Sequence, residues 1–445
     1  MSVERTDGIE SATNDSLSEQ SLGGESITSS DVASIHPITK AVEKFVHDVR
    51  DIEECAQQCM PEAQKGYVQR AERLKKIFLD NQKVVGGDNS REEKLVAARE
   101  LRHGLRLLNR LENDATVHTL ERSLFIGLFA CFDKFVGELM MAVYKVCPEL
   151  YKGLNSQLSV SEVLAFPSLN ELRDSVLDKE VETLRRKSYA EQFKEFERKF
   201  GFETLTKFES WPAFIEASQR RNLFTHCDGV ISGQYLKACS DVQFKVDDEH
   251  VVGFKLKLGK KYFFKICFIV AEVGAILAQT VWRKMLPEQI RVADSALNML
   301  IYDYLIIEQW TKVTSLCKFS SRLPKISDDV MARMFTINHA IAVKNTSGLV
   351  AAKKILDKKD WSASIYDFKL ARSVVLEEYD EAKRLMKKIG EAGEIIYEEA
   401  YHDWPLFKKF RESEQFLEGY EEVYGLKYLS KLSELVTDAQ EQVDG

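Results

Sequence analysis

A mainly α-helical protein is what this sequence predicts, and three observations carry the expectation. Glycine and proline are scarce, 22 and 8 of 445 residues, against a usual ~7% and ~5%. Apolar residues recur every three or four positions over most of the chain, the spacing of a helix face. The clearest series, Val117, Leu120, Leu124, Leu128, Phe132, Phe135, Leu139 and Val143, marks a long core helix between Val117 and Tyr144. With 44% hydrophobic residues, the chain has length for two or three domains of about 150 residues and needs no disulfide staples.

In chain order, residues 1–36 are rich in Ser, Thr, Gly and acids and predict a disordered acidic tail. From Pro37 to about Asp80, Val42, Phe45, Val46 and Val49 keep helical spacing; Gly86 and Gly87 break the chain before a second helical run, Arg91 to Leu111. These two make an N-terminal helical arm, 37–115. Helices are expected at about 160–166, 169–200 and 209–226, the last opening after Ser210 with Pro212 in its first turn, where a proline lacks no hydrogen bond it would have used. The period then changes: Val242, Phe244, Val246 and later Val252, Phe254, Leu256 and Leu258 alternate around Asp247 to His250, the pattern of a small β-hairpin insertion. Helices return at 261–285 and from Pro287 to about Trp310. A linker-like stretch with Pro324 closes a bundle spanning 116–320 and opens a C-terminal helical module, 321–445. There Phe368, Leu370, Ala371, Val374, Tyr379 and Ala382 resemble one tetratricopeptide helical hairpin, one residue short of that repeat's spacing and without a second copy at 34 residues. A last helix is expected from Asp403, with Pro405 in its first turn, toward Gly425.

Charge and cysteine usage narrow the function classes. Residues 1–35 hold seven acids and one base, so the tail carries six of the eight net negative charges and the body is nearly neutral. Any nucleic-acid site must therefore be a local basic patch. The eight cysteines are scattered without a C-x-x-C pair, and no basic segment followed by an apolar run opens the chain; both point to a cytoplasmic protein. Phe263 to Trp282 is the nearest approach to a membrane span, yet Lys265, Glu272 and Gln279 interrupt it, and a buried bundle helix is expected instead. Cys55 and Cys59 lie one helical turn apart without nearby histidines, and His402-Asp403 lacks a ligand series, so no metal and no other cofactor is expected. The phosphate-binding loop, dinucleotide-binding, zinc-protease and serine-hydrolase motifs are all missing from the sequence.

One constellation carries chemistry. Arg220-Arg221-Asn222-Leu223-Phe224-Thr225-His226 places arginine, an amide and histidine within one and a half helical turns, ahead of Gly229. Asn222 and His226 share a face, whereas Arg221 is about 140° away and would converge with His226 only through a distorted turn or a second copy of the chain. An imidazole titrating near neutrality can move the proton of a ribose 2′-hydroxyl, and a guanidinium can hold the charge that develops on phosphorus. A loose Arg-x(4 to 6)-His spacing is expected about once by chance in this composition; requiring Asn, Asp or His after the arginine lowers the expectation to about 0.04. The loose pattern does recur at Arg333 to His339, where Met334 replaces the polar second residue. Spacing alone leaves another reading of His226: a helix C-terminal histidine favoured by the macrodipole, with Arg220 and Arg221 solvated.

The order Arg221-Asn222-x-x-x-His226, with the phenylalanine-rich helix carrying Asp133-Lys134-Phe135-Val136-Gly137-Glu138 upstream and the run from Gly229 to Leu236 downstream, resembles the HEPN domains of bacterial toxins and defence proteins. The resemblance covers roughly 117–285. It implies a helical bundle that homodimerises so that two motifs meet in one cleft, and metal-independent cleavage of RNA with Arg221, Asn222 and His226 as the catalytic set. It equally admits a non-catalytic adaptor that mediates dimerisation, nucleotide binding or partner docking. Asp133 and Glu138 are the acids positioned to orient Arg221 across the bundle, with Arg220 beside it, unless they are exposed acids on a far face. Lys255, Lys257, Lys260 and Lys261, followed by Lys265 and preceded by Arg185, Arg186 and Lys187, are the candidates to hold RNA phosphates, a solvated face being the other reading. The C-terminal helices offer a surface for a regulatory protein partner.

Overall fold

The scarcity of helix breakers has its consequence in the first helix: α1 (Pro37–Gly86) runs for 50 residues. The computed structural model describes residues 35–112, 115–154 and 157–428, so the acidic tail, except its last two residues, lies outside the described residues. The turn at Gly87 is closed by Asn89, whose amide donates to the Val84 carbonyl at 2.9 Å. Ser90 and Glu93 then exchange hydrogen bonds as a capping box that starts α2 (Arg91–Glu112). The two helices pack on each other as a hairpin.

The N-terminal half of α1 buries Ile38, Ala41, Phe45, Val46 and Val49 against α3 (Thr116–Val146), the phenylalanine-rich helix. On α3, Phe125, Phe129, Phe132 and Phe135 are fully buried, and Phe45 stacks on Phe135 with ring centroids 4.3 Å apart. Short α4 (Val160–Leu164) follows, and the single helix expected over 169–200 is two: α5 (Leu169–Arg185) and α6 (Tyr189–Phe200). The break is another capping box, Ser188 with Glu191. Serine three residues before glutamate was its signal, and its consequence is to start α6 on Tyr189.

Next come α7 (Trp211–His226), α8 (Gly233–Asp241) and α9 (Lys260–Met285). The expected hairpin over 242–258 does not form, and the described residues contain no strand. The alternation holds only over 255–258, where Leu256 and Leu258 are buried while Lys255 and Lys257 are exposed; Val252 and Phe254 are exposed, and the backbone partner is different. Residues 253–256 run beside 229–231, with Ile231 N donating to Phe254 O, Gly253 N to Ile231 O and Leu256 N to Gly229 O, all at 2.9–3.0 Å. Only one isolated antiparallel bridge, Val230 with Lys255, results.

By length and composition α9 is apolar enough to cross a membrane, but most of it is buried inside the bundle. Its polar residues have partners there: Glu272 accepts from the hydroxyls of Ser210 and Ser315, and Gln279 donates to Ala293 O at 3.0 Å and accepts from Arg283. Gly274 lets α1 approach α9, because a Cβ there would come within 2.2 Å of the Phe45 ring.

Beyond it lie α10 (Ile290–Ile306) and α11 (Trp310–Ser320), where one helix to Trp310 was expected. The Pro324 stretch is a turn, tied down by Ser327 N donating to buried Asp294 at 2.6 Å, and α12 (Asp329–Ser347) packs back on α11. After α13 (Leu349–Leu356), the segment resembling a tetratricopeptide hairpin forms two packed helices, α14 (Tyr366–Val375) and α15 (Tyr379–Ile389), with Ala371 and Ala382 fully buried. The helix expected from Asp403 is interrupted instead: α16 (Glu398–Asp403) ends there, short 3-10 turns follow Pro405, and Ser413 caps α17 (Glu414–Tyr424).

Candidate functional site

The motif helix α7 opens where Ser210 and Pro212 predict, although the Ser210 hydroxyl serves Glu272 and leaves the cap unmade. Its C-terminus is built with more care. Gly229 N reaches back to Leu223 O at 3.0 Å, and Asp228 and Gly229 both adopt positive φ, 49° and 80°. Glycine is required at 229 because a Cβ would fall 2.8 Å from the Phe224 ring and 3.1 Å from Leu256 O. Arg122 from α3 caps the helix end, donating through Nη2 to Phe224 O at 2.9 Å and through Nη1 to Asp228 at 2.6 Å. Lys255 takes the other Asp228 oxygen at 2.5 Å, and Lys255 together with Arg122 holds that carboxyl below its usual range.

The two arginines of the motif go to different places. Arg221 points to α3 and α6: its Nη2 donates to Asp133 Oδ2 and to the Tyr189 hydroxyl, each at 3.1 Å, and its Nη1 to Asn222 Oδ1 at 3.1 Å. Tyr189 donates in turn to Asp133 Oδ1 at 2.7 Å. The Arg221 side chain keeps 23% of its surface exposed, so the cluster opens to solvent. Burial raises the Asp133 carboxyl above its usual range, opposed by the Tyr189 hydrogen bond and by the charges of Arg221 and Arg185.

Arg220, one residue earlier and 100° round the helix, is buried in a second network and is not part of the exposed site. Its Nε donates to Glu216 Oε1 at 2.7 Å, and its Cζ stands 4.0 Å from the centroid of the Tyr262 ring. Tyr235 and Tyr262 donate to the same carboxylate at 2.7 and 2.6 Å.

His226 ends α7 exposed, with no hydrogen bond or ion pair among the described residues. Its position five residues after Arg221 leaves the two side chains on different faces, as the spacing requires. Glu138 is turned away from Arg221 for the same reason, being five residues beyond Asp133 on α3, and pairs with Lys44 of α1 at 2.6 Å. Among the proposed phosphate ligands, Lys257, Lys260 and Lys261 are exposed with no acidic partner among the described residues, whereas Lys255 is engaged by Asp228. Arg186 and Lys187 pair with Glu182 and Glu195. Arg185 donates to the Asp133 and Lys134 carbonyls, and Gly137 makes room for it, since a Cβ there would meet its Nη2 at 2.1 Å.

The second Arg-to-His spacing is structural. Arg333 pairs with Asp329, donates to Asp360 O at 2.6 Å and lies over the Trp361 ring; burial lowers the His339 imidazole to about 4. The described residues contain no group of three or more His, Cys, Asp or Glu side chains placed to hold a metal ion.

Sequence reasoning missed Tyr189, Arg122 and the Glu216, Tyr235 and Tyr262 cage. Only Tyr189 had a local signal, the capping box that precedes it. No family model matches the chain, and no curated protein or solved structure matches it.

Proposed function

We propose that this chain is a metal-independent endoribonuclease of HEPN type, a cytoplasmic toxin or phage-defence effector that acts as a homodimer. The observation that carries this reading is the end of α7: Arg221 is fixed by Asp133 and Tyr189 yet open to solvent, and His226 stands exposed one and a half turns further on. Within one chain the two lie on different faces, so a second copy supplies the convergence that cleavage needs. An imidazole takes the proton of the ribose 2′-hydroxyl, the oxygen attacks phosphorus in line, and the P–O5′ bond breaks. The leaving 5′-oxygen receives a proton from an imidazolium, the two copies dividing the roles of base and acid. Arg221 neutralises the charge on the phosphorane-like transition state, and Asn222 orients the phosphate or the imidazole. The products are a 2′,3′-cyclic phosphate and a 5′-hydroxyl.

The test is cleavage of mixed cellular RNA by wild-type and His226→Ala protein in excess EDTA, with end-group analysis. Cutting by the wild type alone, leaving cyclic-phosphate ends, is the expected result. Fragments with 5′-phosphates that form only with magnesium would overturn the mechanism.

A second reading has its own observation. The Arg221 guanidinium donates to Asn222, Asp133 and Tyr189 at once, an arrangement that suits a strut as well as a catalytic group. On that reading the bundle is a HEPN-like adaptor for dimerisation, nucleotide binding or partner docking, and its C-terminal helices hold a regulatory protein. His226→Ala would then keep every cellular phenotype of the wild type.

A further inference from the structure

The body of the chain is nearly neutral, but its charge is unevenly placed. Between Lys65 and Leu111, the distal α1–α2 hairpin carries twelve Lys and Arg against six Asp and Glu. On α2, Arg99, Arg102, Arg106 and Arg110 fall within a band of about 80° at 100° per residue, and no acid lies on that band between Leu95 and Leu111. All four are exposed, and none has an ion pair among the described residues. The stripe covers about 16 Å at 1.5 Å per residue, the rise of about five phosphates along one strand at 3.4 Å each.

The stripe ends in a cleft. Arg110 and His103 of α2 face Arg70 and Arg73 of α1 across an open groove of 1240 Å³ with an aliphatic floor that includes Leu74, Ile77 and Leu107. The groove is also lined by Ala115, which precedes α3, and by Thr119 of the first turn of that helix. The same two residues line a smaller cleft of 160 Å³, walled by Arg122, Lys257 and Phe224. That second cleft is the surface at the C-terminal end of α7. Its acids are already engaged: Asp228 by Arg122 and Lys255, Glu121 by His118. A cationic path thus runs from the hairpin to the motif helix.

We propose that the α1–α2 hairpin is an RNA-binding arm, which conducts the phosphate backbone of single-stranded RNA along this path to the α7 site; this rests on the reading of that site as RNA-cleaving. Guanidinium groups pair with phosphates in a bidentate manner and stack on unpaired bases. The floor gives the bases aliphatic contact. An anionic membrane fits less well, because α2 turns Ala97, Leu101, Leu108 and Leu111 into the hairpin, and the large apolar residues it exposes, Leu95, Val96 and Leu105, are interrupted by the arginines instead of forming a face to insert.

The experiment is fluorescence anisotropy of a labelled 20-nucleotide single-stranded RNA, titrated across a salt series with full-length His226→Ala protein so that the probe stays intact. Adding R73Q/R102Q/R106Q/R110Q is expected to weaken binding at least tenfold at 0.1 M KCl. It should also flatten the slope of log K against log salt by about three, at about 0.7 per lost contact on single strands. Because these arginines are exposed and have no ion pair among the described residues, the variant keeps its circular dichroism and melting temperature. Lys353, Lys354, Lys358 and Lys359, all changed to Gln, remove equal charge from the C-terminal helices and should change affinity less than about twofold on the same counterion scale. The arm is refuted if its variant binds like the parent or loses no more than that control. It is equally refuted if the parent fails to bind RNA at 50 mM KCl, or binds only phosphatidylserine vesicles through these arginines. Failure of the cleavage reading looks different: wild-type protein then leaves RNA uncut while arm-dependent binding persists.

Discussion

Replacing Glu216 by alanine should cost this fold about 3–5 kcal/mol, the usual penalty for leaving one member of a buried ion pair without its partner. The carboxylate is fully buried and accepts three hydrogen bonds, from Arg220 Nε, Tyr235 OH and Tyr262 OH, at 2.6–2.7 Å. Its removal strands a guanidinium that is itself 8% exposed and two phenolic hydroxyls. The unit Pro37–Gly445 has an unfolding entropy of about 0.9 kcal/mol per kelvin at ~2.1 cal/mol/K per residue. The expected fall in melting temperature is therefore about 4–6 °C, read by circular dichroism at pH 7. A double variant, Glu216→Leu with Arg220→Met, should recover most of the loss, because removing both charges removes the desolvation cost together with the attraction. A fall below about 1 °C for Glu216→Ala, or a double variant whose loss equals the sum of the two single ones, would refute the claim that Arg220 is a buried lock.

The acid facing Arg221 behaves differently, because burial already favours its neutral form. Asp133→Asn should stay within about 1 kcal/mol of wild-type stability, whereas Asp133→Ala, which strands Tyr189 OH and Arg221 Nη2, should cost about 1–3 kcal/mol. Both should cut RNA at least tenfold more slowly; unchanged cleavage rates would show that Asp133 does not position Arg221. His339 makes stability depend on pH. Burial, then the charges of Lys358 and Lys318, lower its imidazole from 6.5 to about 4, so the fold holds it neutral. Its contribution is complete above pH 6.5 and is lost as pH falls from 6.5 through 4. Asp133 and Glu272, raised by burial, act in the opposite sense, so the difference between wild type and His339→Gln isolates the histidine. A variant melting profile parallel to wild type over that range would contradict this.

Much of the fold was legible because helices announce themselves locally. The apolar step on α3, the Gly86-Gly87 break and the Pro212 opening of α7 all stand where the sequence puts them. What the sequence hid was non-local. Alternation at 255–258 reports one buried face and is silent about which backbone lies alongside, and the partner is 229–231, some 25 residues earlier. The long helix expected over 169–200 failed at Ser188, where a local cap outweighed continuous apolar spacing. In the site, Asp133 was found from its charge on an apolar helix, but Glu138, equally charged, was indistinguishable until α1 supplied Lys44.

Helix α7 explains why two adjacent arginines are not redundant. Consecutive residues on a helix are separated by 100°, so a pair of like charges is divided between two environments whenever one face is buried. Arg220 falls on the face that meets α8 and α9, where a fully buried glutamate and two tyrosines neutralise it. That network fixes the rotation of α7 about its own axis. Once the rotation is fixed, Arg221 has to face α3 and α6, where Asp133 and Tyr189 await it, and His226 has to emerge at the exposed end. The buried arginine therefore sets the aim of the exposed one. Exchange of roles is precluded, because a guanidinium at 221 cannot reach Glu216 without turning the helix by 100° and withdrawing the buried apolar side chains of Phe214, Leu223 and Phe224 from the bundle.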